Sequence, residues 1–341
     1  MSELSRSGRP RTVTMSDVAE RADVSLSTVS RVLSGAARVN EEKRRRVLDA
    51  ISELEYWPSG AARALASSRP QTVAVLAGAT SIYGYAETIR GVEEGARAAG
   101  FSVTITVIGS STDQEVETAI ALALSHSVVG VIVLKYDKPG AAALKKLPSS
   151  IPVVCIEGSR ERGVPQVGFD SAAAGREITD YLLGLGHKTV HHVSIPYGQG
   201  DDPRTRGWRR ALTEVGAPVP EVLKASWAPE SGRALAAVLL AREDVTAVFC
   251  GNDEIAIGLI RGLLDAGIDV PGDISVVGFD DHPLAAMTSP PLTTARQDFR
   301  HMGNLAFETL LRQAWVGDAG GLHQLLRPEV VYRSSAAAPS S

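Results

Sequence analysis

From residue 72 onward, short stretches that are almost entirely apolar alternate with stretches that suit helices, and no other feature constrains the fold so strongly. The clearest apolar stretches are Thr72–Ala77, Gly130–Leu134, Val153–Ile156 and Ala247–Cys250. Strands that are apolar on both faces belong to parallel sheets that are covered by helices on both sides. The alternation runs through two successive sets, which predicts an α/β body with two doubly wound lobes.

The other expected elements complete these two sets. Further strands are expected at Ser102–Ile108, Thr189–Val193, Ser275–Phe279 and Leu292–Ala295, with a last apolar run near Val330. Helices are expected at Glu87–Ala98, Asp113–His126, Gly140–Leu147, Ser171–Leu185, Arg204–Val215, Ser231–Ala241, Glu254–Ala266 and Met302–Trp315. Ligands of such sheets bind outside the carboxyl ends of the strands, so a cleft between the lobes is the expected binding site.

The first 71 residues follow a different pattern. A helix capped by Ser16 is expected to end at Ala22, and a second one, Leu26–Leu33, follows the cap Ser25. Two short helices with so tight a turn between them must cross steeply. Asn40 caps a third helix, whose apolar face is formed by Val47, Leu48, Ile51 and Leu54. The pattern predicts a three-helix bundle that contains a helix-turn-helix, preceded by a disordered arm over residues 1–12.

A short Ala-rich segment, Ser59–Ala66, separates this head from the body. A helix of that length is unstable alone in water, so it must fold on DNA, on a partner chain or on the body. Residues 1–71 carry a net charge of +3 and residues 72–341 a net charge of −7. A basic head on an acidic body suggests that the head meets a polyanion, although a solvated surface would also give so small a difference.

Sequence motifs for catalysis are missing. The chain has no G-x-S-x-G, Walker A or H-E-x-x-H motif and no metal-spaced histidines, so we expect no catalytic residue, no metal and no cofactor. Its two cysteines, Cys155 and Cys250, lie in apolar runs and are expected to be reduced, buried thiols. There is no membrane span of about 18 apolar residues and no secretory signal, so a cytoplasmic, nucleoid-associated protein is expected.

The second helix of the head is the candidate DNA-reading element. Such a helix enters the major groove, where its first side chains reach base edges. Ser25, Leu26, Ser27 and Thr28 stand at this position, and Arg31 follows one turn later. Arginine can bind guanine through two hydrogen bonds, and a leucine can contact a thymine methyl group.

Several segments together resemble the lactose/galactose repressor (LacI/GalR) family. They are Met15–Gly35, Tyr56–Ala66, Gly184–His187, Gly251–Gly258, Asp273–Asp281 and Pro290–Thr294, in the order that the family has them. Asp23 departs from the small residue that is usual in the family's turn, and it adds a negative charge near the groove.

The resemblance implies a homodimeric regulator, most simply a repressor of carbohydrate-utilisation genes, on a pseudo-palindromic double-stranded DNA operator. The family's hinge helices fold when two of them meet on DNA, and the position of its minor-groove leucine is Leu65 here. The expected DNA-binding residues are Thr14, Ser16, Ser25, Leu26, Ser27, Thr28, Ser30, Arg31, Arg38, Asn40, Ser59, Arg63 and Leu65.

The resemblance also implies a periplasmic-binding-protein-like body with an effector in its cleft. The expected effector-binding residues are Tyr85, Glu157, Arg204, Trp227, Asn252, Asp253, Asp280 and Phe299. A tryptophan plane, several acids and an arginine suit a neutral mono- or disaccharide. The residues before Tyr85 depart from the family's usual run.

The expected domains follow from these assignments. They are a head over 13–58, a hinge over 59–71, a first lobe over about 72–166 and 295–322, a second lobe over about 167–294 and 323–333, and a disordered tail over 334–341. Three alternatives stay open: a solute-binding module with a non-functional head, a regulator that a non-sugar co-repressor tightens on DNA, and an enzyme acting on the cleft ligand.

Overall fold

The computed structural model describes residues 13–33, 39–56, 70–158, 161, 163–197, 200–242, 244–317 and 323–340. The chain forms two compact units, Met1–Gln71 and Thr72–Ser341. The expected arm over 1–12 and the expected hinge helix lie outside the described residues.

The first unit contains three short helices: α1 (Met15–Arg21), α2 (Leu26–Leu33) and α3 (Glu41–Glu53). Thr14, and not Ser16 as expected, caps α1, because Thr14 and Asp17 exchange hydrogen bonds between side chain and backbone. Asn40 caps α3 as predicted, accepting the N–H of Glu42 at 2.9 Å. Asp23 adopts the left-handed backbone that the tight turn requires, with φ 49°.

Apolar side chains from all three helices form the core of this unit. The fully buried ones are Val18, Val29 and Val47. Leu48 was expected on the same face of α3, but it is 49% exposed. It follows Val47 directly, and consecutive residues on a helix point about 100° apart.

The first lobe of the second unit is built on a six-stranded parallel sheet. Its elements are β1 (Thr72–Ala77), α4 (Tyr83–Ala98), β2 (Ser102–Val107), α5 (Asp113–Ala123), β3 (Gly130–Leu134), α6 (Lys138–Lys146), β4 (Val153–Ile156), β5 (Gln166–Phe169), α11 (Phe299–Val316) and β11 (His323–Leu326). The strand order is β11-β5-β4-β3-β1-β2, and every neighbouring pair is parallel.

The second lobe has a four-stranded parallel sheet with the order β7-β6-β8-β9. Its elements are α7 (Ser171–Gly184), β6 (His191–Ser194), α8 (Pro203–Glu214), β7 (Leu223–Lys224), α9 (Pro229–Leu240), β8 (Ala247–Cys250), α10 (Asp253–Asp265) and β9 (Ser275–Val277). Strands β10 (Thr294–Arg296) and β12 (Glu329–Val331) form a separate antiparallel pair where the chain passes between the lobes.

The lobe boundaries differ from those expected. Strand β5 pairs with β4, so the chain leaves the first lobe after Phe169 and not at 166. Strand β11 pairs with β5, so residues 323–326 belong to the first lobe and not to the second.

Close helix pairs cover the sheets because glycines let their backbones approach. A Cβ on Gly303 of α11 would lie 2.2 Å from the carbonyl oxygen of Thr88 in α4. A Cβ on Gly207 of α8 would lie 2.1 Å from the carbonyl oxygen of Ala172 in α7. Only glycine fits at such crossings, and these helices supply several residues of the cleft.

The structure corrects the expectation that the tail is disordered. Ser335 is fully buried, and its Oγ donates to the carbonyl of Val276 at 2.5 Å and accepts the N–H of Thr293 at 2.9 Å. The carbonyl of Ala337 is bonded to His187 Nε2 at 2.9 Å and to Ser275 Oγ at 3.0 Å. A small-residue composition therefore does not prevent order here, since the backbone groups find partners in the second lobe.

Both cysteines are free and buried. In the described part of the chain, no helix is long and apolar enough to cross a membrane.

Candidate functional site

The start of α2 presents a compact polar surface. Ser25 Oγ lies 2.9 Å from both Ser27 Oγ and Thr28 Oγ1, and it accepts the N–H of Thr28 at 3.3 Å. Leu26 is 50% exposed between them. Short hydroxyl side chains at a helix N-terminus, beside an exposed methyl-bearing residue, can contact phosphates and a base edge together.

The other expected DNA-binding residues of the head fall into two groups. Ser16 and Arg31 are exposed and Ser30 is half-buried, whereas Thr14 and Asn40 are exposed but use their side chains as helix caps. Arg38, Ser59, Arg63 and Leu65 lie outside the described residues. The acid in the turn has a cation nearby, because Asp23 Oδ2 lies 3.6 Å from Arg46 Nη1.

In the body, a cavity lies between the two lobes, and both lobes line it. We call it the inner cavity. Six of the eight expected effector-binding residues line it: Tyr85, Glu157 and Phe299 from the first lobe, and Arg204, Trp227 and Asp280 from the second. The space that it encloses is only about 40 Å³. Sites for small molecules usually measure about 300–1,000 Å³, so a ligand must displace some of the lining.

Arg204 is the most constrained side chain of the inner cavity. Arg204 is the second residue of α8. Asp202 caps this helix and accepts the backbone N–H of Arg204 at 2.9 Å. The guanidinium donates to the carbonyl of Gly251, to Gln297 Oε1 at 2.9 Å and to Asp280 Oδ1 at 3.2 Å. Its carbon lies 4.2 Å from the centre of the Phe279 ring. Such a rigid, buried cation is prepared to donate to an acceptor in the cavity.

Two carboxyl groups, those of the half-buried Glu157 and the buried Asp280, face this cation from different lobes. Burial raises the pKa of Glu157 to about 7, although the N–H of Phe169, at 2.7 Å, and Arg204 both lower it. Burial also raises the pKa of Asp280 to about 7 against the opposing effect of Arg204. Both residues have positive φ angles, 60° and 110°. Non-glycine residues with such backbone angles cluster at functional sites, where surrounding contacts hold them.

Tyr85 offers its ring to the cavity and not its hydroxyl group. The hydroxyl donates to Asp137 Oδ2 at 2.5 Å, and burial together with this carboxylate raises the pKa of Tyr85 well above its ordinary value. The ring of Tyr136 packs beside it, with centroids 4.7 Å apart. Phe299 continues this aromatic wall and packs edge-on against Phe169, with centroids 5.5 Å apart.

Asn252 and Asp253 do not line the inner cavity, in contrast to the expectation. Asn252 caps α10 by accepting the N–H of Ile255 at 2.9 Å. The carboxylate of Asp253 accepts the Thr294 hydroxyl at 2.6 Å and the N–H of His282 at 2.7 Å. Both side chains are therefore occupied in holding the start of α10 against the segments that follow β9.

Other residues of the lining were not predicted from the sequence. They include Tyr136, Ser171, Ile195, Tyr197 and Asp202. Tyr136 follows β3, and Ile195 and Tyr197 follow β6. The rule that ligands bind beyond the carboxyl ends of parallel strands would have selected these three. Among the described residues, no group of His, Cys, Asp or Glu is arranged to hold a metal ion.

Comparisons with known proteins match both units of the chain. Residues 14–59 match the bacterial regulatory proteins of the lacI family, and residues 179–336 match a periplasmic binding protein-like domain. Catabolite control protein A of Priestia megaterium is 34% identical over 313 residues, which cover 88% of this chain and 92% of the relative. The transcriptional repressor PurR of Erwinia tasmaniensis is 33% identical over 308 residues, 87% of this chain and 89% of the relative.

A solved structure of the lac repressor dimer, bound to operator and the anti-inducer ONPF, superposes with a TM-score of 0.88 at 29% identity. The superposition covers 96% of this chain and all of that one, so the relation extends over the head as well as the body.

Proposed function

Since this chain belongs to the lacI family of bacterial regulatory proteins and is a DNA-binding transcriptional repressor, we propose that a sugar-like effector bound between its lobes controls its hold on operator DNA. The observation that carries the proposal is the Arg204 cluster in the inner cavity, where a fixed cation faces Glu157 and Asp280. Trp227 lines the same cavity and supplies an aromatic plane. An aromatic plane with donors and acceptors at its rim suits a ring that carries several hydroxyl groups.

The head reads the operator through α2. Its first turn enters the major groove, Leu26 contacts a base edge, and Arg31 contacts a guanine. The predicted contacts of Arg38, Ser59, Arg63 and Leu65 belong to the same interface, with Leu65 entering the minor groove.

The repressor acts as a homodimer on a pseudo-palindromic operator. Support comes from exposed apolar side chains on an edge of the first lobe, where Ile105 and Val107 of β2 are 46% and 49% exposed. Leu122 of α5 is 60% exposed, and Met287 in the second lobe is 76% exposed. Contiguous apolar patches mark interaction surfaces, and Ile105 and Val107 lie two residues apart on the same edge strand.

Effector binding must change the arrangement of the lobes. The inner cavity is too small for a sugar ring, and its lining comes from both lobes, so the ligand must bind one arrangement better than another. Only this differential affinity can alter operator binding, and we propose that the ligand releases the operator.

A thermal-shift screen of the full chain against mono- and disaccharides tests the proposal. A ligand at 100 times its Kd should stabilise the folded chain by about 2.7 kcal/mol, and the same ligand should weaken binding to an operator selected from random DNA. Trp227→Ala should remove the response, and Trp227→Phe, which keeps an aromatic plane, should retain part of it. If no sugar raises the midpoint of thermal unfolding or changes the affinity for the operator, the proposed effector class is wrong.

A further inference from the structure

A second cavity, of about 300 Å³, opens beside the inner one, and we call it the basic cavity. It lies at the carboxyl ends of β3 and β4 and along α6. Its charged lining consists of Lys135, Lys138, Lys145, Lys146, Asp113 and Glu161. Four ammonium groups against two carboxylates leave an excess of positive charge in a body whose net charge is negative.

The lysines differ in how far they are already neutralised. Lys135 has a side chain only 2% exposed, and its Nζ lies 2.9 Å from Glu161 Oε1. Lys146 Nζ lies 2.9 Å from Asp113 and 2.7 Å from Glu117. Lys138 and Lys145 are exposed and form no ion pair with any residue that the structure describes. The wall of the cavity therefore contains one buried cation and two exposed cations that form no ion pair within the described part of the chain.

The two cavities are adjacent and share part of their wall. Tyr197 lines both of them. Lys135 of the basic cavity precedes Tyr136 of the inner one, and Gly158 of the basic cavity follows Glu157 of the inner one. The basic cavity is therefore the space next to a ring that is bound in the inner cavity.

We infer that the effector carries an anionic substituent, a phosphate group, which binds in the basic cavity while its hydroxyl-bearing ring occupies the inner cavity. This inference rests on the proposed function. The inner cavity offers an anion less than the basic cavity does, because Arg204 is already bonded to Asp280 and Gln297. The basic cavity favours an anion, because a phosphate accepts several hydrogen bonds from ammonium groups. This departs from the neutral saccharide expected from the sequence, because only the ring is neutral and the substituent is not.

The test compares matched pairs of compounds on the full chain by calorimetric titration in a phosphate-free buffer. The pairs are glucose with glucose 6-phosphate, galactose with galactose 6-phosphate, and fructose with fructose 1-phosphate; glucuronate and inorganic phosphate complete the set. We expect at least one phosphorylated compound to bind about tenfold or more tightly than its parent sugar. In Lys138→Met/Lys145→Met, this ratio should fall to near one without a change in the affinity of the parent sugar.

The control is Lys188→Met/Lys224→Met, which removes the same charge from two exposed lysines of the second lobe and should keep the ratio. Glu161→Gln should raise the affinity for the phosphorylated compound, because it removes a carboxylate from the lining of the basic cavity. Glucuronate could also bind more tightly than glucose and lose this advantage in Lys138→Met/Lys145→Met. In that case the basic cavity would accept a carboxylate as well as a phosphate group. Equal affinities within every pair that binds would overturn the inference.

The same titrations distinguish a failure of the proposed function from a failure of the anion site. If no sugar or sugar phosphate binds, the proposed effector class fails, and inorganic phosphate then decides on the basic cavity. Saturable phosphate binding that is lost in the lysine variant, and kept in the control, would support the cavity as an anion site. Undetectable or lysine-independent phosphate binding would overturn it.

Discussion

The head and the inner cavity use polar side chains in opposite ways. At the start of α2, the hydroxyl groups of Ser25, Ser27 and Thr28 bond to one another within three residues of chain and remain open to solvent. In the inner cavity, Arg204 is buried and bonded to groups 47, 76 and 93 residues away. A substitution in the head should therefore change recognition with little change in stability, whereas one in the cavity should change both.

The largest expected effect comes from Arg204→Ala. This substitution leaves the buried carboxyl of Asp280 without its cation, so we expect it to lower the free energy of unfolding by about 3–5 kcal/mol. Arg209→Ala is the matched control on the same helix, since Arg209 is 43% exposed and pairs at the surface with Asp201, and it should cost less than about 1 kcal/mol. Chemical denaturation at pH 7.5 measures both.

A double-mutant cycle sharpens this comparison. If Arg204 mainly compensates the carboxylate, Asp280→Asn should recover part of the loss in Arg204→Ala. Equal costs for Arg204→Ala and Arg209→Ala would mean that the buried and exposed sites do not differ in the way the structure indicates.

The second expected effect is a pH dependence carried by Glu157. Its pKa is about 7 in the folded chain, against an ordinary value of 4.5, so between these values the folded chain holds a proton that the unfolded chain has released. Stability therefore falls as the pH rises from 5 to 7 and is level above 7. Relative to Glu157→Gln, the wild type should lose roughly 2 kcal/mol over this interval.

Denaturation at several pH values between 5 and 8 measures the difference, in which the titrating groups that do not interact with Glu157 cancel. The exposed Glu221 provides the control, since Glu221→Gln should leave the pH profile parallel to that of the wild type. A Glu157→Gln profile that is parallel to the wild type as well would contradict the raised pKa.

The same contrast explains which parts could be predicted from sequence. Strands β1, β3 and β4 are buried on both faces, so their composition alone identified them. Strand β11 was missed because it lies at a sheet edge, where burial alternates along His323–Leu326 and the apolar signal is weak. The tail was missed because its order comes from hydrogen bonds made by Ser335 and Ala337, which small-residue composition does not reveal.

The candidate sites show the same limit. The polar start of α2 is a contiguous motif, so sequence reasoning could locate it. The inner cavity gathers residues from distant strand ends, and motif matching alone placed Asn252 and Asp253 there although both are occupied as a helix cap and a loop anchor. It also left out Tyr136 and Tyr197, whose positions depend on how the strands are aligned in space.

In the head, Arg31→Ala should weaken operator binding and relax the choice of base, by about 1–3 kcal/mol of discrimination, with little loss of stability. Arg97→Ala, which removes one exposed arginine from the body, is the charge-matched control and should leave operator affinity unchanged. Binding curves on a panel of single-base operator variants measure the effect. Uniform weakening across the panel would assign Arg31 to a phosphate contact.

The smallest expected effect comes from Asp23→Gly, and it separates recognition from stability most sharply. Glycine adopts the φ of 49° without strain, but it also loosens the unfolded chain and removes the pair with Arg46, which lies 3.6 Å away. Asp23 is 96% exposed, so that pair contributes little, and the net change in unfolding free energy should stay within about 0.5 kcal/mol.

The freed positive charge of Arg46 should nevertheless strengthen operator binding and steepen its salt dependence by up to about one counterion. Operator titrations from 50 to 200 mM salt, roughly the range over which such slopes are resolved, measure this. An unchanged slope would show that Asp23 and Arg46 both lie away from the phosphates, and that the turn influences recognition only through the position of α2.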